Sequence, residues 1–310
     1  MKGSLSGPTF PRRGGPPGTR ARALRFADPL LRTTLVPTIA AMKEQNRYVL
    51  GESETEQLRL RDQSVVLDPL TRQLHTEAGI TAGMSVLDIG TGAGHVAAIA
   101  ADLVGPSGHV LAVDRNPEAL DGARDRLGHR REIEFAEADL DSLDLDQQFD
   151  AVVGRAVLMH VSSPVEVLRR LGRHLRPGGL LVMHELDVSQ EWASVNTPLL
   201  ERVRELILQA FGIFGIDSRA GRDLFAAYRS AGLPDPHLTL SAPAGGGAEA
   251  PSFGWVNALA ALLPYLEQQG IVTADELGID SLTQRLTDEL DAEDATLLGP
   301  LLYGAYCTVD

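Results

Sequence analysis

Between Met84 and Asp187 short apolar runs alternate with amphipathic stretches, and this order leaves few folds open. Parallel strands are joined by crossovers, usually helices, which cover both faces of the sheet and make its strands apolar throughout. The runs at 85–89, 109–113, 132–136, 151–153 and 180–185 read as such strands. Helices are expected over 95–103, 117–127 and 164–175, with Arg176-Pro-Gly-Gly179 stopping the last and turning the chain into the next strand. The expected fold class is α/β, a doubly wound, mostly parallel sheet.

Outside this core the pattern changes. Residues 1–25 hold Pro8, Pro11, Pro16 and Pro17 with too few large apolar groups for a core and read as disordered, while 30–42 is apolar enough for a short helix limited by Pro37. Leu58, Val65, Val66, Leu70 and Leu74 recur at helical spacing, so 54–78 is expected to form one or two amphipathic helices interrupted near Pro69. After Asp187 the stretches 198–214 and 222–231 read as inserted helices before a strand near 237–240. A flexible glycine-rich loop over 242–251, helices near 253–269 and 281–291, and a last strand over 297–308 follow. The carboxylates from Asp275 to Asp294 read as a solvated face. The expected division is an N-terminal extension over 1–45 and one domain over 46–310, with helical cap elements at about 191–232 and 252–295.

Charge and composition exclude several classes. A formal charge of −14 disfavours a nucleic-acid partner, whose non-specific affinity comes from Lys and Arg neutralising phosphates. The only lysines, Lys2 and Lys43, precede the core, so neither a buried Schiff-base lysine nor a Gly-Lys-Ser/Thr phosphate loop is available. Cys307 is the sole cysteine, which rules out an intramolecular disulfide or a Cys-rich zinc site and reads as an inert buried thiol. No run approaches the roughly 18 apolar residues that cross a bilayer, and the N-terminus has no apolar core before a cleavage site. A soluble cytoplasmic protein without a membrane partner is expected.

Val86-Leu-Asp-Ile-Gly-Thr-Gly-Ala-Gly-His95 is a strand entering a glycine turn and a helix. Glycines let the backbone approach a ligand and take positive φ, and nicotinamide, flavin and S-adenosylmethionine sites all use such turns. A dinucleotide fingerprint is G-x-G-x-x-G, whereas Gly90, Gly92 and Gly94 are followed by His95 where its third glycine would fall. Asp88 stands two residues before Gly90; it would repel a pyrophosphate and attract an ammonium. The ligand therefore reads as a cationic amino acid attached to a nucleoside. Asp114 ends the second strand and can accept from both ribose hydroxyls, a feature NAD enzymes share; the neighbouring Arg115 could suggest a 2′-phosphate, which Asp114 would repel. Asp139 follows the third strand, where it can accept from an adenine amine with Leu140 against the ring.

These residues resemble the class I S-adenosylmethionine-dependent methyltransferases, and most closely the small-molecule enzymes similar to those of ubiquinone and menaquinone biosynthesis. The resemblance rests on Val86 to Gly94, Val113-Asp114, Ala138-Asp139-Leu140, Phe149 to Val153 and Leu175-Arg-Pro-Gly-Gly-Leu-Leu-Val182. It implies a seven-stranded sheet of order 3-2-1-4-5-7-6 with S-adenosylmethionine across the C-terminal strand edge. Carried over by position, it implies that Gly90, Thr91 and Gly92 line the methionine moiety, with Asp88 near its ammonium. Asp114, with Arg115 beside it, faces the ribose, and Asp139 and Leu140 hold the adenine. Arg155 matches a position that contacts the cofactor by its backbone, and Tyr48 belongs to a segment that folds over it in some relatives.

Methyl transfer from a sulfonium is a displacement at an activated carbon, so the protein supplies proximity, orientation and, for a phenol or acidic carbon, a base. His160 after the fourth strand, and His184 and Glu185 leaving the fifth, are the candidate catalytic residues. No metal is expected, because adjacent strand residues point to opposite faces and His184 and Glu185 cannot easily share an ion. The chain lacks an Asn-Pro-Pro-Tyr-like motif and a cysteine after the fourth strand, which disfavours nucleobase methylation and leaves a small organic acceptor. A non-methylating rearrangement on the same bound cofactor is the alternative; a nicotinamide oxidoreductase is disfavoured by Asp88, His95 and the lack of a Tyr-x-x-x-Lys pair.

Overall fold

A computed structural model describes residues 54–250 and 255–310. The extension expected over 1–45, the helix expected over 30–42 and Tyr48 lie outside the described residues, as does the start of the helix expected at 253.

The first described helix, α1 (Glu54–Ala78), runs unbroken through Pro69. A prolyl ring forfeits one helical hydrogen bond, but tertiary packing outweighs that local cost: Leu67 and Leu74 on either side of it are buried. The alternating unit follows as β1 (Ser85–Ile89), α2 (His95–Val104), β2 (His109–Asp114), α3 (Pro117–Leu127), β3 (Ile133–Glu137), β4 (Phe149–Arg155), α4 (Pro164–Arg173) and β5 (Leu175–Asp187). Beyond it come α5 (Pro198–Phe214), α6 (Ala220–Ala231), β6 (His237–Ser241), β7 (Ala244–Gly245), α7 (Trp255–Gln268), α8 (Ala274–Leu277), α9 (Ile279–Ala292), β8 (Leu297–Leu298) and β9 (Leu301–Thr308).

The main sheet has the order β3-β2-β1-β4-β5-β9-β6, parallel from β3 to β5 and antiparallel where β9 inserts between β5 and β6. With β9 as its seventh strand, this is the expected 3-2-1-4-5-7-6 order. The direction of winding reverses between β1 and β4, and the crevice beyond their C-terminal ends is where such sheets bind ligands. Alternate strand residues feed two layers. Val86, Val110, Ala151, Val153 and Val182 pack with α1 and α2, while Leu87, Leu111, Val152, Leu181 and Met183 pack with α4 and α6. A third apolar cluster joins α5, α7, α8 and α9 to Leu67 of α1 and Met159 after β4.

Several expectations are corrected. Arg176–Gly179 does not lie between helix and strand: α4 ends at Arg173, and the Pro-Gly-Gly run is a bulge within β5. Phe149 pairs with Leu175 but Ala151 with Leu180, and the extra residues stay bonded to the chain end through Gly178 N–H to Val309 O (2.8 Å) and Val309 N–H to Gly179 O (2.9 Å). The 242–251 run is not simply a loop, since β7 pairs with β8 and a 3-10 turn spans Gly247–Glu249. The last strand divides into β8 and β9 around Gly299-Pro300, where proline lacks a ladder donor. Helix α6, read with the cap, instead packs Leu224, Tyr228 and Ala231 against the sheet. Cys307 is buried, and burial pushes its thiol up to about 11, as expected for an inert group.

Candidate active site

The glycine loop leaves β1 with Gly90, Gly92 and Gly94 at φ of 58°, 52° and 78°, a region that favours glycine. Gly90 also needs its missing side chain, because a Cβ there would lie 2.8 Å from Val157 Cγ2. At Gly92 a Cβ would meet nothing within 4 Å, so the backbone borders open space. Asp114 at the end of β2 shapes this loop: Oδ2 accepts from Gly92 N–H at 2.8 Å and Oδ1 from Asn116 N–H at 2.9 Å. Each oxygen keeps a second lone pair for a ligand donor.

Asp88 is fully buried, and its Oδ2 accepts from the Thr91 hydroxyl at 2.6 Å. Its Oδ1 has no partner of good hydrogen-bonding geometry, the Ala97 N–H exerting only a weak pull. Burial pushes the carboxyl up to about 7, against the opposing pull of Thr91 and Arg155. Asp139 is exposed and accepts from Asp141 N–H at 2.9 Å, Leu140 is half-buried beside it, and Arg115 is exposed. The structure thus brings Asp88, Gly90, Thr91, Gly92, Asp114 and Arg115 to one edge, with Asp139 and Leu140 just past the end of β3.

At the end of β5 His184 and Glu185, expected as catalytic residues, are buried, while at the end of β4 Arg155 is tied to α1. Arg155 was expected to contact the cofactor by its backbone, which its side chain leaves open: Nη1 donates to Asp68 Oδ1 and to Thr71 Oγ1, each at 2.9 Å, tying β4 to α1. His184 is 1% exposed under the same helix, with Nδ1 3.1 Å from Thr71 Oγ1. The Thr71 hydroxyl donates to Leu67 O, so it accepts from both Arg155 and an Nδ1–H tautomer of His184. Burial, with Arg155 nearby, pulls His184 down to about 3, and His75 likewise. Glu185, on the opposite face, is fully buried, and its Oε1 accepts from Val157 N–H and Leu158 N–H at 2.9 Å. Burial pushes it up to about 7 despite these donors. Of the three candidate proton carriers only His160, closing the 3-10 turn after β4, is partly exposed.

Sequence reasoning missed Asp68, Thr71 and His75 on α1, and it took His95 only as the residue that spoils a dinucleotide fingerprint. His95 Nδ1 lies 3.6 Å from Asp68 Oδ2 at the start of α2, and Arg155 and His95 hold the Asp68 carboxyl below its ordinary range against the effect of burial. The helical spacing of α1 placed these residues on an element but carried no sign of their distant partners. Several aromatic side chains pack against one another or against the sheet. Trp192 stacks on Trp255 at 4.0 Å, Phe214 meets Tyr265 edge-on at 5.0 Å, and Tyr228 donates to Ala305 O at 3.1 Å beneath the sheet. Among the described residues no three His, Cys, Asp or Glu side chains are grouped to hold a metal, and no helix is long and apolar enough to cross a membrane.

Residues 80–209 match the protein family described as "Methyltransferase domain". The match covers 130 of the 310 residues, so this stretch of the chain is similar to a methyltransferase domain. The cofactor of such domains is S-adenosylmethionine. Over 114 residues the chain is 41% identical to the ubiquinone/menaquinone biosynthesis C-methyltransferase of Pseudomonas putida, covering 36% of this chain and 44% of that protein. Over 106 residues it is 39% identical to an uncharacterized 37.1 kDa protein of a Streptomyces fradiae transposon, covering 34% and 31% of the two chains. The chain thus spans less than half the length of these two relatives. A solved Bacillus halodurans structure, provisionally described as a methyltransferase, shares the fold with a TM-score of 0.51 at 16% identity, covering 77% of this chain and 97% of that one.

Proposed function

We propose that the chain transfers a methyl group from S-adenosylmethionine to a carbon nucleophile of a small organic acceptor. The observation that carries this reading is the glycine loop held by Asp114, which borders open space at Gly92 while a buried oxygen of Asp88 lacks a donor. The first feature fits the group, since a backbone without side chains admits a nucleoside; Asp88 is fully buried, so an ammonium would satisfy its Oδ1 only where the loop opens to admit it. In this reading Asp114 accepts from the ribose hydroxyls, Asp139 from the adenine amine, and Leu140 covers the ring. Gly90 and Thr91 border the methionine moiety, and Arg115 lies at the ribose side.

When bound, S-adenosylmethionine supplies a methyl carbon on a sulfonium, already activated for in-line displacement. The protein's part is to orient the acceptor, exclude water and take a proton. His160 is the proposed base, since His184 and Glu185 are sealed and engaged with protein groups. The Pseudomonas putida relative is by name a C-methyltransferase, which favours carbon over oxygen or nitrogen as the methylated atom.

The test is incubation with isotopically methyl-labelled S-adenosylmethionine and a panel of phenols, benzoquinols and naphthoquinols, read by mass spectrometry and carbon NMR. A mass gain of one methylene unit with a carbon-bound label supports the reading. Label on oxygen would limit it to methyl transfer, and an acceptor converted without change of mass would refute transfer altogether.

A further inference from the structure

We infer that Glu185 is a positioning residue whose carboxylate clamps the turn after β4 against the glycine loop and so sets the geometry of the cofactor site. This rests on the reading of that loop as the cofactor site. Three successive backbone donors converge on one side chain: Val157 and Leu158 N–H at 2.9 Å on Oε1, and Met159 N–H at 3.4 Å on Oε2. The residue before them, Ala156, has φ of 53°, a conformation that an L residue keeps only where its surroundings enforce it. Its N–H remains bonded to His184 O at 3.0 Å, so the chain reverses immediately after the sheet ladder ends.

That reversal lays Val157 on Gly90, whose missing Cβ would lie 2.8 Å from Val157 Cγ2. Val157 is buried there, and Gly90 opens the loop whose Gly92 N–H is fixed by Asp114. The clamped turn is anchored at its other end as well, where Met159 O accepts from Asp217 N–H at 2.9 Å, and it carries His160, whose N–H donates to Val157 O at 3.0 Å. One carboxylate therefore fixes both the wall of the glycine loop and the residue proposed as base. A proton-transfer role for Glu185 fits poorly, because its oxygens are buried and already engaged by the turn's backbone donors.

The test is calorimetric titration of the full chain with S-adenosylhomocysteine, with melting temperature recorded for every variant. In Glu185→Gln the amide oxygen can still accept from Val157 and Leu158, so affinity should stay within about threefold of wild type. Glu185→Ala should bind about tenfold more weakly at temperatures where it is folded. Val157→Ala should also weaken binding, and the double variant should lose less than the two single losses combined, because both act through one contact. A lower melting temperature with unchanged affinity in Glu185→Ala would reduce the residue to a structural role and overturn the inference. If Glu185→Ala does not fold, wild-type affinity in Val157→Ala would overturn it instead. Wild-type protein that fails to bind refutes the cofactor reading and the clamp together, whereas wild-type binding with an unaffected Glu185→Ala refutes the clamp alone.

Discussion

At the ends of β1 and β2 the carboxylates bond within the β1–β2 unit, Asp88 to the hydroxyl of Thr91 and Asp114 to Asn116 N–H and, 22 residues back, to Gly92 N–H. At the ends of β4 and β5 the polar side chains reach far along the chain. Arg155 reaches back 87 residues to Asp68, His184 113 residues to Thr71, and Glu185 27 or 28 residues to the turn at 157 and 158. The first region thus needs β1 and β2 paired, and the turn that lays Val157 against Gly90, but not α1. The second exists only once α1 has docked, so the ends of β4 and β5 depend on a further element that the ends of β1 and β2 do not touch.

The largest test of that contrast is Arg155→Leu. Removing a nearly buried guanidinium from Asp68 and Thr71 should cost about 3 kcal/mol, the figure being tempered because Asp68 is about one-third exposed. Denaturant unfolding that shows less than about 0.5 kcal/mol would mean that α1 is held by apolar packing alone. Next, Gly90→Ala and Gly92→Ala separate strain from contact. Both force alanine into the left-handed region at roughly 1–2 kcal/mol, but only Gly90→Ala must also displace Val157, so it should be the more destabilising by about 1 kcal/mol or more. Equal losses would break the proposed contact between loop and turn.

Asp114→Ala sharpens the local side of the comparison. It should weaken S-adenosylhomocysteine binding by roughly 1–2 kcal/mol, through ribose hydroxyls and the Gly92 N–H left unpaired. Calorimetry that finds unchanged affinity would remove Asp114 from the site. A pH series tests the other side of the comparison. His184 is pulled from 6.5 down to about 3, so the unfolded chain binds a proton that the folded one refuses, and stability falls as pH drops below 6.5 towards 3. Asp88 and Glu185, pushed up to about 7, act oppositely, adding stability at low pH that is lost as pH rises through 7. Comparison with His184→Gln isolates the histidine: wild type should lose about 1.4 kcal/mol more per pH unit between about pH 6 and 4. Parallel stability curves for the two proteins would mean that His184 is not held neutral beneath α1.

The same contrast explains what could be read before the fold was seen. The strand and helix order from β1 to β5, the glycine loop and Asp114 are written in contiguous residues, and the apolar periodicity of each strand fixes its place in a parallel sheet. The bulge at Arg176–Gly179 was read as a turn, because Pro-Gly-Gly signals reversal whether or not a neighbouring chain end remains bonded to it. The roles of His184 and Glu185 were hidden for a different reason. A strand-end acid or imidazole looks the same in sequence whether it faces a ligand or closes on a distant backbone, and the partners Thr71 and Val157 carry no mark of the pairing. Asp68 and His75 were invisible as site neighbours because nothing local in a helical pattern announces a buried polar face.

The most direct test of the central claim is titration of the full chain with S-adenosylhomocysteine and NADH in parallel. Saturable binding of the nucleoside sulfur compound and none of NADH is the result the proposal predicts, since an ammonium beside Asp88 would favour its ionised form whereas a pyrophosphate would oppose it. Binding of NADH alone would contradict it, and would mean that the glycine loop serves a dinucleotide.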